Sequence, residues 1–177
     1  MESSMEPVPT PASRAPSRRF LATALLAPVV IPPVSYLAVA LGAGLGPGEA
    51  VAAMTAQMSG RPNLITPAVL ALLPLLVYIG LIVLLRRRDP LGAWLPRAAW
   101  MGLVPALLLL AWANATVWPL YLPGRAFPGF PHGLELVIVP LFFMPVALLG
   151  GLAVGRIAAG RAAPPESRGS TGTHGSA

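Results

Sequence analysis

The chain contains no cysteine and no lysine, and it has only two histidines and six carboxylates in 177 residues. Without cysteine, disulfides, thiolate metal sites and cysteine nucleophiles are excluded in any compartment. Two histidines, one of them (His174) in a polar C-terminal stretch, cannot supply a bis-histidine haem at membrane depth. No H-E-x-x-H, P-loop, dinucleotide fingerprint or G-x-S-x-G occurs. No metal and no cofactor is expected. Charge is scarce too, at 10% of residues against 55% hydrophobic, and the mean hydropathy of +0.72 is too apolar for a soluble domain of this length. The twelve basic residues, all arginine, with 22 prolines and 18 glycines, match the codon bias of a GC-rich, bacterial genome.

The arginines flank apolar runs instead of clustering on a recognition helix, so the net charge of +6 reflects membrane topology and no nucleic-acid partner is expected. Four uncharged or nearly uncharged runs are long enough to cross a hydrocarbon core of about 30 Å. They predict an all-α polytopic bundle of four transmembrane helices, at about residues 20–43, 64–85, 98–118 and 134–154. Residues 20–156 form one membrane domain between disordered cytoplasmic tails, 1–19 and 157–177. Arg86, Arg87 and Arg88 determine the topology, because arginines in short loops beside apolar spans are retained inside and Asp89 hardly offsets them. Arg14, Arg18, Arg19, Arg97, Arg156, Arg161 and Arg168 then fall on the same side, with Arg61 and Arg125 outside. Both termini are expected in the cytoplasm and the chain in the inner (plasma) membrane.

Ser17-Arg18-Arg19-Phe20-Leu21 resembles a twin-arginine signal, with Ala38-Val39-Ala40 as a cleavage site. The apolar run exceeds a signal core of about 7–15 residues, so it is read as a retained span. Pro32-Pro33, Pro74, Pro105, Pro140 and Pro145 are expected to kink the helices. Gly42 to Gly48 should break the first helix, and residues 49–60 are expected to form an interfacial helix with Val51, Met54 and Met58 on one face. Trp100 and Trp118, about 27 Å of helix apart, are expected at the two headgroup layers.

Tyr78, Asn114 and Thr116 are the candidate polar contacts within the membrane, and an interhelical partner is expected for the Asn114 amide. Gly42 with Gly46, and Gly151 with Gly155, form G-x-x-x-G pairs that are candidate helix-packing surfaces. The second outer loop, residues 119–133, mixes proline, glycine and aromatics (Tyr121, Phe127, Phe130) and suits a partner or ligand surface. Beside it, Arg125, His132 and Glu135 make up a candidate outer-face polar site. His132 and Glu135 share a helix face, but Pro131 and a first-turn carboxylate equally describe a helix start.

These features favour a non-catalytic membrane protein, an accessory, scaffold or assembly subunit acting through helix packing and loop 119–133. Its partners would be the lipid bilayer and a membrane protein or further copies of itself. One alternative is a small oligomeric carrier or channel for an apolar or weakly polar solute, with Asn114 and the prolines lining its path. A second is a lipid-modifying enzyme using His132 and Glu135. Pumps and proton-coupled carriers keep ionisable groups within their spans, and here only Glu135 stands at an edge.

Overall fold

The computed structural model describes residues 16–59, 65–88, 94–125 and 133–162. Among them every regular element is helical: α1 (Arg18–Gly42), α2 (Pro47–Ser59), α3 (Ile65–Arg88), α4 (Leu95–Val117) with a 3₁₀ turn (Trp118–Tyr121), α5 (Glu135–Ile138), a π turn (Val139–Phe143) and α6 (Met144–Ala162). Four stretches are long and apolar enough to cross a membrane: Arg18–Gly42, Ala68–Arg88, Leu95–Tyr121 and Glu135–Arg161. Their outward faces are as apolar as their inward ones, with Val77 67% and Val146 70% exposed. A helix apolar all round belongs in lipid. The described residues are all-helical, and their four apolar helices make this a multi-pass membrane protein.

Local chemistry explains the helix ends. The Ser17 hydroxyl accepts from the Phe20 N–H at 3.2 Å and caps α1. Gly44, at φ +90°, closes it: Leu45 N–H reaches Ala40 O and Gly44 N–H reaches Leu41 O, a Schellman ending that needs glycine's left-handed backbone. α2 starts at Pro47, earlier than residue 49, because Pro47 suits a first helical position and the Glu49 carboxylate accepts from the Gly46 N–H at 3.0 Å. Pro119 has no N–H for an α-helical bond, and the end of α4 tightens into the 3₁₀ turn. Around Pro140 the chain widens instead, and Met144 N–H bonds Val139 O, five residues back.

Two C-terminal helix boundaries also differ from the sequence reading. Arg86, Arg87 and Arg88 form the last turn of α3, not a loop, since cations at a helix C-terminus complement its dipole. α6 runs on to Ala162 instead of ending near residue 154, through alanines that favour helix and past Arg156, whose guanidinium lies 4.9 Å from the Trp94 ring centroid. Residues 1–15 and 163–177, assigned to tails, lie outside the described residues, as does Asp89.

The bundle is built on α4 and α6, which run antiparallel in close contact. Gly151 lies against the Gly102 backbone and Gly155 against Ala98, so that A-x-x-x-G on one helix faces G-x-x-x-G on the other. A Cβ on Gly151 would collide with main-chain atoms of Met101 and Gly102. α3 joins at the same level, where Tyr78 donates to Ala99 O at 3.0 Å and its hydroxyl fills the space beside Gly102. α1 buries Phe20, Ala24, Pro28, Pro32, Tyr36 and Ala40, an unbroken four-residue repeat. Each such step turns about 40° further round a helix of 3.6 residues per turn, so the stripe rotates by about 200° from end to end. Its first residues pack on α3 and α4, and its last meet α2 and the 3₁₀ turn in a separate cluster.

Phe20 packs edge-on against Trp100, and Arg156 covers Trp94, so the start of α1, the end of α3, the start of α4 and the end of α6 share one end of the bundle. Arg18, Arg19, Arg86, Arg87, Arg88, Arg97, Arg156 and Arg161 all lie at this basic end. Arg125 and both described carboxylates, Glu49 and Glu135, belong to the opposite end.

Candidate functional site

The end opposite the basic one carries the described part of loop 119–133 and, of the polar residues singled out in the sequence, Asn114, Thr116, Arg125 and Glu135. Its centre is aromatic. The Tyr36 and Trp118 rings meet edge-on at 5.6 Å, and Trp118 and Tyr121 at 6.0 Å. Tyr36 Oη also points at Tyr121 O, 3.5 Å away, a long and weak bond. α2 covers this cluster with Ala50, Ala53, Met54 and Met58. Val51, expected on the same face, points away and is exposed. Trp118, expected at a headgroup layer, is also buried within the protein, because α2 and the 3₁₀ turn close over it.

Asn114 is fully buried one turn below Trp118 on α4. Its Nδ2 donates to Leu110 O of its own helix at 2.8 Å, not to a facing helix as expected. The reason is local: a short amide reaches the carbonyl four residues back more readily than a neighbour held off by packed leucine and alanine. Its Oδ1 and the Trp118 Nε1 are both buried without a hydrogen-bond partner. They form an acceptor and a donor, complementary and one helical turn apart, in a site where each unpaired group costs about 1–3 kcal/mol. Thr116 likewise bonds its own helix, at Ala113 O, 2.9 Å. Of the three polar residues, Tyr78 alone bridges two helices, and it does so nearer the basic end.

Of the candidate trio Arg125, His132 and Glu135, two lie among the described residues. Glu135 opens α5, exposed, in a first turn where the helix dipole favours a carboxylate. Arg125 is exposed after the turn at Gly124 (φ +80°), and no ion pair joins it to Glu135. His132, with Phe127, Phe130 and Pro131, lies outside the described residues. Among the described residues no group of three or more His, Cys, Asp or Glu is placed to hold a metal.

The glycine pairs separate in the same way. Gly151 and Gly155 meet α4, whereas Gly42 has nothing within 4 Å and Gly46 meets only the Glu49 side chain. The partners Gly102 and Ala98 were overlooked in the sequence, although A-x-x-x-G at 98–102 is the same small-residue signal. Compared with known proteins, the chain matches no protein family, no curated protein and no solved structure.

Proposed function

We propose that the chain is a non-catalytic subunit of a bacterial inner-membrane assembly, with its basic end and both termini in the cytoplasm. The observation that carries this reading is Trp112. Its side chain is 56% exposed on α4, about 9 Å of helix below Trp118, in line with Met101, Val104 and Leu108. Indoles settle at headgroup level, where the ring meets lipid and the N–H meets water. An uncovered indole at hydrocarbon depth is best satisfied by a partner helix that supplies an acceptor and packs along this stripe. The close α4–α6 contact agrees with a scaffold, since backbones that touch cannot part without breaking the core.

A tagged copy purified in mild detergent is expected to carry a stoichiometric membrane partner or a second copy. Trp112→Leu should lower that recovery at least tenfold while leaving membrane insertion unchanged. A wild-type monomer without partner, or undiminished co-purification of the variant, would overturn the subunit reading.

A second reading has its own observation. The unpartnered Asn114 Oδ1 and Trp118 Nε1 offer a weakly polar solute one acceptor and one donor under the α2 cover. As a carrier or channel, the protein in liposomes should speed osmotic swelling in glycerol, and Asn114→Leu should slow it several-fold. Swelling no faster than that of empty liposomes removes this reading. The lipid-enzyme alternative rests on His132 and Glu135 together, and His132 lies outside the described residues.

A further inference from the structure

The basic end holds a feature that neither the subunit nor the carrier reading uses. An open crevice of about 30 Å³ lies between the first turn of α1, the last turns of α3 and the first turn of α4. Ser17, Phe20, Ile82, Arg86, Pro96 and Trp100 line it. The lining joins two chemistries. Phe20 and Ile82 make an apolar floor, buried within the bundle core. Arg86 is the charged residue of the lining, half-buried, unlike the exposed Arg87 and Arg88 beside it.

We infer that this crevice binds the phosphate of an anionic phospholipid from the leaflet at the basic end. Three considerations select that occupant. The lining residues stand at the ends of three spans, where lipid phosphates lie in any membrane these helices cross. A space of about 30 Å³ takes about two oxygen-sized groups, enough for the non-bridging oxygens of one phosphodiester while glycerol and chains stay outside along the apolar wall. The helix turns that form the opening carry a cationic excess: Arg18, Arg19, Arg87, Arg88 and Arg97 stand on them against the single Asp89 that follows α3 in the sequence, and both described carboxylates are at the other end of the bundle. A guanidinium grips a phosphate with two parallel N–H donors, and its weak hydration lets it do so when partly buried. Basic pockets between helix ends retain anionic headgroups for this reason, beyond the diffuse attraction of a charged surface.

Native mass spectrometry of the full chain tests this, with dioleoyl-phosphatidylglycerol and dioleoyl-phosphatidylcholine added in equal amounts. One phosphatidylglycerol should remain bound at collision energies that strip phosphatidylcholine. Arg86→Gln should lower its occupancy about tenfold, Arg86→Lys should retain an intermediate level, and Arg88→Gln, with the same loss of charge from the surrounding field, should lower it no more than about twofold. Equal retention of both lipids by the wild type would overturn the inference whether or not any variant folds. Equal losses in the Arg86→Gln and Arg88→Gln chains would overturn it as well, since a diffuse field and no site would then account for binding. Displacement of the lipid by millimolar inorganic phosphate would assign the crevice to a soluble anion and remove the lipid.

Discussion

Gly151→Leu is expected to break the bundle, with a loss of about 3 kcal/mol or more and no folded variant recovered in warm detergent. The added side chain has no space, because the first atoms in its way belong to the main chain of Met101 and Gly102. Overpacking a core costs about 1–3 kcal/mol when neighbours can rotate aside. A backbone cannot, so the helices must separate, and with them the Tyr78 bond to Ala99 O that ties α3 to the same place. Gly42→Leu provides the contrast. With nothing within 4 Å, it should change stability by no more than about 0.5 kcal/mol. Gly155 allows a reciprocal test, since its obstacle includes the Ala98 Cβ as well as the Ala98 Cα: Ala98→Gly should restore part, and not all, of what Gly155→Ala loses. Thermal melting in one detergent measures all of these. A Gly151→Leu chain that melts with wild type would show that α4 and α6 do not pack in this way. The same packing alters what such variants mean for partner binding. Loss of a partner from Gly151→Leu would report a broken bundle, and only an outward residue such as Trp112 reports the partner itself.

Trp118→Ala is expected to be the next most damaging change, at about 3–5 kcal/mol, the usual cost of removing a large buried aromatic. The indole holds the end opposite the arginine-rich one together, touching Tyr36 of α1 and Tyr121 of the 3₁₀ turn while α2 lies over the cluster. Its removal should release α2 while the core around Tyr78 and Leu148 survives, because the two apolar clusters are distinct. Hydrogen exchange resolves this: amides of α2 should lose protection by at least tenfold and those of α4 near Leu103 should keep it. Trp118→Phe separates bulk from polarity. It keeps an aromatic body and deletes the unpartnered Nε1 donor, so it should cost far less than Trp118→Ala. Uniform loss of protection in both helices of the alanine variant would show one cooperative core, and unchanged α2 protection would show that Trp118 is not its anchor.

Much of the outline was legible in the chain itself. Apolar runs of sufficient length announce spans whatever surrounds them, because an unpaired backbone group in hydrocarbon is too costly for any structure but a helix or a closed barrel. Helix ends were legible where the signal is local, as at Gly42 to Gly48. They were missed by a few residues where capping extends a helix, at Pro47 and Glu49, or where arginines prolong it, at Arg86–Arg88 and Arg156.

What lies inside was not legible in the same way. Two G-x-x-x-G pairs look alike in the sequence, yet one faces a matching pair on α4 and the other faces open space. Asn114 promised a bond between helices and makes one within its own, and Trp118, read as a membrane-surface anchor, is in addition the centre of a buried cluster that nothing in the chain announces. The physical reason is shared. In water, apolar residues sort inward and leave a periodic record, but lipid is as apolar as leucine, so a span can be hydrophobic on every face. The sequence by itself determined that four helices cross a membrane and where their basic ends gather. Only the tertiary structure decided which faces meet, because close packing between particular small residues, and not exclusion from solvent, selects them.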